Sequence, residues 1–435
     1  MSEPVRPAGA VPLGDVDPCG SRQAGRRSGV TLTEAGPVVG LADGTVRAFD
    51  DAGTERWSVS GQGSAVTLEP FGGGVLVGER SARGGVRLLA DGTERWRHGA
   101  ADVLGAPTRD SRFFLPMVVD AAVAGETAFV AARRYERRDG VPASGASGGS
   151  SDAEASDGVS ASEASGGSSN TSASDGGRHF ESVVYALAPD GTVRWRYDAD
   201  ASPVSVTAHE GGVAVAYNRC PGAHDDGLVV LDGDGAVRWT WNPDGEGDRR
   251  VGDVATLDDG VVAASHADYR GYRLDGGAVE WRVDLGRPVD RGADRVYTYP
   301  NHVHAGDSDV VFLTGNTFPE EGRETAARHP REQTVLGLGP DGSRQWSAEV
   351  GGFAHEVATD GDRLLVPVAQ HFRDRNPSVH GWRLFDVANG CRENGDCAGV
   401  ATAAALDGSR RVVVEEPVRY HDGETVHGRY ALCRP

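Results

Sequence analysis

The chain has 435 residues, with 64 Asp and Glu against 44 basic residues and a formal net charge of −20. It contains no lysine, so every basic side chain is Arg; Gly, at 62, is about double its usual share. Five cysteines are too few for a disulfide-built scaffold, no stretch approaches the roughly 20 apolar residues of a membrane span, and so acidic a surface repels phosphate backbones.

Membrane insertion and a nucleic-acid partner are therefore not expected. Acidic excess with Arg in place of Lys resembles the composition of salt-loving microbes, whose surface carboxylates stay hydrated while salt screens their repulsion; a GC-rich gene that favours Arg codons would give the same Arg bias.

Residues 1–28 are read as an N-terminal segment. Met1 to Asp17 holds no apolar run, and Ser28-Gly29-Val30 after the twin Arg26-Arg27 starts none, so no secretion signal is expected and the expected location is the cytoplasm. From Gly29 onward one phrase recurs. Asp50-Asp51-Ala52-Gly53-Thr54-Glu55-Arg56-Trp57 returns as Asp91-Gly92-Thr93-Glu94-Arg95-Trp96 and Asp190-Gly191-Thr192-Val193-Arg194-Trp195. It returns again ending at Trp239, Trp281 and Trp346, so six of the eight Trp close the same phrase. Asp-Gly supplies the positive φ of a tight hairpin, and short apolar runs such as Leu228 to Leu231 precede it. A second strand-turn-strand pattern comes before each phrase, as in Asp253 to Ser265 with Asp259-Gly260 at its turn. Each unit is thus a four-stranded antiparallel meander.

First strands are expected to start at Gly29, Ser64, Asp120, Ser205, Asp253, His302, Glu356 and Thr402, giving eight units about fifty residues apart. Two insertions fall between second and third strands: 137–178, rich in Ser, Gly, Ala and Asp and expected to be disordered, and Pro319 to Gln333. The last unit lacks a fourth strand, and part of residues 5–20 is expected to supply it, closing a ring. The fold class is all-β, as one domain over 1–435.

The phrase resembles the pyrroloquinoline-quinone-type propeller repeat, roughly Ala-x-Asp-x-x-Thr-Gly-x-x-x-Trp. Ala48 to Trp57 matches with a shortened turn; Leu384 to Gly390 matches the first half, without the Trp. The resemblance covers about 30–435 and implies an eight-bladed, quinoprotein-like β-propeller. This repeat serves quinone dehydrogenases, assembly scaffolds similar to BamB, and sensor domains. The dehydrogenases rely on a vicinal Cys-Cys that this sequence lacks. The six Trp are read as packing between blades rather than around a cofactor.

Candidate binding residues follow from the meander. Connections between second and third strands share one face and are rich in Arg, Tyr and His: Arg134, Tyr135, Asn218, Arg219, Tyr269, His371, Tyr420 and His421. At the first strands Asp120, Asp253, His302 and Glu356 are expected to converge near the axis, where they either bind a ligand or hydrogen-bond the neighbouring blade. Cys391 with Cys397 could bridge a hairpin, and Cys19 with Cys433 become neighbours under closure. The expected role is a non-catalytic, monomeric scaffold for a protein partner or a small anionic ligand, with no cofactor, metal or catalytic residue. The alternative is an enzyme at the channel mouth, either a metal-dependent lyase or hydrolase or a quinone-dependent dehydrogenase.

Overall fold

The computed structural model describes residues 9–20, 25–138 and 177–434, apart from single positions 110, 112, 210, 246, 323, 372 and 422. The expected disordered insertion lies outside the described residues from 139 to 176.

Among the described residues helix is confined to Ala101–Leu104 and a 3-10 turn at Pro377–Val379. The rest of the regular structure is antiparallel strand. Gly29–Thr33, Gly36–Gly40, Val46–Phe49 and Glu55–Val59 pair in that order as the first sheet. The same meander recurs over 64–99, 117–199, 202–241, 251–284 and 358–396. The sixth sheet, over 289–349, carries an extra strand, Val289–Arg291, ahead of the long Asp294–Ala305. One pair, Met117 with Arg80, joins the second and third sheets into a single ladder. The last sheet contains Val400–Asp407, Arg410–Glu416 and Ala431–Cys433, and its fourth strand is Val11–Pro12, with Val11 opposite Leu432.

The apolar core lies between sheets. Val38, Val46 and Ala48 of the first meet Ala65, Leu68 and Val77 of the second. Val412, Val414 and Leu432 of the last meet Val30, Val39 and Phe49 of the first, with Leu13 of the N-terminal segment in the same cluster.

The recurring Trp explains the recurring Gly. Trp57, Trp96, Trp195, Trp239, Trp281 and Trp346 each pack against the turn glycine of the following sheet: Gly92, Gly191, Gly235, Gly277, Gly342 and Gly390. Gly191 has φ +87°, and a Cβ there would stand 2.6 Å from Trp96 Cγ. The indole of Trp96 donates to Pro189 O at 2.9 Å, and that of Trp195 to Gly233 O at 2.8 Å. Trp96, Trp195, Trp281 and Trp346 therefore spend both polar atom and ring on the next sheet.

The seventh sheet lacks this Trp for a topological reason. Glu393 occupies the register of the Trp, opposite Leu384, as Trp195 lies opposite Ala186. Its neighbour's third and fourth strands come from opposite ends of the chain, so no hairpin turn exists to receive a ring. Glu393 instead pairs with Arg411 of the last sheet at 2.6 Å. Between the last sheet and the first, Arg434 takes the indole's place: it donates to Asp51 O and, at 3.0 Å, to Ala52 O, beside Gly53.

Several sequence expectations need correction. Arg134 and Tyr135 are not loop residues, because strand Thr127–Arg138 keeps pairing with Gly177–Leu187 and sets them opposite Glu181 and Phe180; Asn218 and Arg219 likewise lie within a strand, Gly212–Arg219, rather than in the connection after it. Glu356 precedes its strand, Ala358–Asp360. No disulfide joins any of the five cysteines, so neither expected pair is bridged. Cys19 and Cys433 face different carboxylates, those of Glu416 and Glu415.

Candidate functional site

A cavity of about 1200 Å³ is lined by residues from the first strand, or its approach, of every sheet described above: among them Thr31, Thr67, Asp120, Ser205, Asp253 and His302. Local backbone irregularity aims these side chains. A bulge immediately precedes Thr67, Asp120, Ser205, Asp253 and His302, breaking the alternation that would otherwise fix each side chain's direction.

The carboxylates share one construction. Asp120 accepts from Ala121 N at 3.0 Å and from Val206 N of the next sheet at 2.8 Å. Asp253 accepts from Val254 N at 2.9 Å and from Val303 N at 2.8 Å. Glu356 accepts from Ala404 N at 3.1 Å. Each carboxylate thus staples its sheet to the following one. His302 Nε2 lies 3.2 Å from Ala354 O and its Nδ1 3.8 Å from Asp253.

Two residues that sequence reasoning left unassigned complete the cavity. Arg26, half of the twin Arg, forms an ion pair with Glu356, and its carbonyl accepts from Arg80 Nη1 at 3.2 Å. Glu69 lines the wall one turn of side-chain alternation beyond Thr67. No local signal in the sequence marked either one.

Desolvation dominates the electrostatics. It pushes Glu69 up to about 8, with Asp120 adding repulsion, and raises Asp120 and Asp253 to about 6. Burial lowers the guanidinium of Arg26 despite Asp120 and Glu69, and lowers His302 to about 4. A carboxyl whose folded pKa exceeds its unfolded one binds more protons when folded, so its contribution is full below the unfolded value and lost as pH rises through the folded one. For Glu69 that window runs from 4.5 to about 8. Glu69→Gln removes the charge that burial opposes. Its melting temperature is expected to exceed wild type by several degrees at the top of the window and to converge at the bottom. A difference independent of pH would mean Glu69 is not desolvated.

The residues expected on the outer face divide sharply. Arg134 donates to Ala106 O at 2.8 Å and pairs with Glu181 at 2.5 Å and Glu136 at 3.3 Å. Tyr135 is buried against Phe113, Phe114 and Phe180. Asn218 is buried with its Nδ2 3.2 Å from His266 Nδ1. His371 is buried 3.7 Å from both Glu332 and Asp374, and the buried Tyr420 hydroxyl lies 2.6 Å from His380 Nε2. Arg219 stands 3.8 Å from Asp248. Tyr269 stays partly exposed and His421 exposed. Tyr269 joins a cluster that sequence reasoning did not assemble: its ring lies 4.7 Å from Tyr297 and 5.4 Å from Tyr299, and Arg249 covers Tyr299 at 5.0 Å.

No protein-family model matches the chain, and no curated protein matches its sequence. Solved structures do. BamB from Moraxella catarrhalis is 12% identical with a TM-score of 0.51, over 90% of this chain and 94% of that one. The computationally designed Ika8 protein is 13% identical at 0.51, over 95% and 99%. The C-terminal WD40 domain of Sif2 is 10% identical at 0.51, over 98% and 99%. At these identities the likeness concerns the fold, and the fold is a β-propeller.

Proposed function

We propose that this chain is an eight-bladed propeller of pyrroloquinoline-quinone-type repeats, closed by strand Val11–Pro12, and that it works as a non-catalytic scaffold. Its binding face is the one carrying the connections between second and third strands, and its partner is a protein or a small anionic ligand. The sheet-by-sheet packing and the antiparallel pairing of Val11 with Leu432 support the architecture. The reading places the protein in the cytoplasm as a monomer; no helix among the described residues is long and apolar enough to cross a membrane.

One observation carries the binding face. Tyr269 holds φ +63°, a conformation costly for a bulky side chain, and in it the ring packs, tilted, in the cluster of Tyr297, Tyr299 and Arg249. Local strain held by its surroundings, beside a partly exposed arginine and aromatic rings, suits a face that meets anionic groups. The enzyme reading draws less support, because Asp120, Asp253 and Glu356 each commit an oxygen to a backbone N–H of the neighbouring sheet.

The test is co-purification from the native source in high salt, comparing wild type with Arg249→Glu and His421→Glu. Both variants are expected to keep the wild-type melting temperature within a few degrees and to lose most of the captured partner. An unchanged capture profile from folded variants counts against this face.

A further inference from the structure

A second inference, independent of the outer face, starts from Trp241. Six of the eight Trp close the repeated phrase, and Trp382 is buried with Arg411 4.6 Å over its ring. Trp241 remains. It stands two residues past the phrase Trp of the fourth sheet and so shares its face. The equivalent positions hold Val59, His98, Tyr197, Val283 and Ala348, so no other phrase sets an indole there. Trp241 is partly exposed, and its indole N–H has no hydrogen-bond partner among the described residues.

The seam beside Trp241 is open for a reason written in the chain. Four phrase indoles donate to a carbonyl in the next sheet's turn, that of Pro189, Gly233, Pro340 or Val387. Each is the second residue of a five-residue turn, as in 232–236 between the paired Leu231 and Val237. The fifth sheet pairs Leu274 with Val279 and so has one residue fewer, Asp275-Gly276-Gly277-Ala278. The receiving carbonyl is lost, and the Trp239 indole N–H has no hydrogen-bond partner among the described residues. The glycine also stands back: a Cβ on Gly277 would lie 3.5 Å from Trp239 Cε3, against 2.7 Å from Trp195 for Gly235 and 2.9 Å from Trp281 for Gly342. The equally short turn between Leu89 and Glu94 faces Trp57, but there Val59 takes the place of an aromatic ring.

The result is a cleft of about 380 Å³ lined by Trp241, Asn242 and Asp244 on one side and by Tyr272, Val279 and Arg282 on the other. Tyr272 and Arg282 are cross-strand partners and so share a face. The Tyr272 ring meets Trp241 at 60° with centroids 4.8 Å apart, and its hydroxyl donates to Asp268. Asn242 fixes the strand end that carries Trp241: its Nδ2 donates to Asp225 O at 2.6 Å and its Oδ1 accepts from Gly227 N at 2.9 Å. Val279, 46% exposed, adds an apolar rim. The charges cancel in pairs, Arg282 with Asp244 at 3.9 Å and Arg273 with Glu280 at 2.6 Å. A flat ring, an unmet N–H and balanced charges suit a guest that is neutral, with one apolar face and hydroxyls at its edge. We propose that this cleft binds a neutral pyranose sugar, its C–H face on Trp241 and its hydroxyls toward the Asp244–Arg282 pair. Stacking and hydrogen bonding of an uncharged guest are not screened by salt.

The experiment titrates methyl glucoside, methyl galactoside, methyl mannoside and cellobiose into full-length wild type, Trp241→Ala and Trp241→Tyr, following tryptophan emission and heat of binding. Sorbitol, which has the hydroxyls without the ring face, tetramethylammonium chloride and decaproline are the comparison ligands. Wild type is expected to bind at least one of the sugars saturably, with the same affinity at low and high salt. Trp241→Ala is expected to bind it about tenfold or more weakly. Trp241→Tyr, which restores a flat ring, is expected to recover most of that loss. No saturable sugar binding by wild type, equal binding by Trp241→Ala, or sorbitol binding that matches the sugars overturns the proposal. Saturable binding of tetramethylammonium or decaproline without the sugars overturns it too, and assigns the cleft to a cation or a proline-rich peptide. Should Trp241→Ala melt well below wild type, Trp241→Leu, which keeps apolar bulk against Tyr272, is titrated with the same readings.

Discussion

Deleting residues 1–20 is expected to lower the melting temperature by more than ten degrees or to abolish cooperative folding. The segment supplies the fourth strand of the last sheet, and its loss leaves Ala431–Cys433 as a bare edge. Leu13 is 4% exposed, in the cluster that joins the last sheet to the first, and its removal alone is worth about 2 kcal/mol. Cys19 holds Pro417 and Arg419 by two backbone hydrogen bonds, and Arg434 loses its contact with Gly9. The sum is on the order of 5 kcal/mol, a large share of a total that is typically about 5–15. Calorimetry decides the matter. A truncated protein that melts with wild type would remove the basis for closure by this strand.

Gly191→Ala tests the contact that repeats around the fold. Two penalties coincide there. An L-side chain at φ +87° costs on the order of 1–2 kcal/mol, and the new methyl would stand 2.6 Å from Trp96 Cγ, an overlap worth about 1–3 kcal/mol more. Gly211→Ala is the control, since its φ is +78° but nothing lies within 4 Å of the added Cβ. Denaturant unfolding should show Gly191→Ala less stable than Gly211→Ala by the overlap alone. Equal losses would mean that the indole yields, and that turn conformation rather than docking keeps glycine in the phrase.

Much of the architecture was legible because it is written locally. Alternation of apolar residues fixes strands, and Asp-Gly fixes hairpins, with no need for distant partners. The half-phrase at Leu384 to Gly390 was legible as a departure, but its reason was not. Glu393 stands at the Trp position because the next sheet is assembled from both ends of the chain. The outer-face residues were the weakest part of the reading. Composition marked Arg134 and His371 as binding groups, yet Arg134 is met by Glu181 and His371 lies beside Glu332. Whether an arginine is offered to a ligand or neutralised depends on which carboxylate folds beside it.

The sequence by itself determined the repeat, the strand and turn grammar, and the Trp and Gly positions that let successive sheets dock. These follow from backbone conformation and side-chain period, which act over a few residues. Only the tertiary structure decided that Arg26 meets Glu356, 330 positions away, that Glu69 sits desolvated beside Asp120, and that Tyr269 gathers with Tyr297, Tyr299 and Arg249. Charge pairing and desolvation act through space, so their outcome is set by which strands the fold brings to one wall, a fact that no local pattern carries.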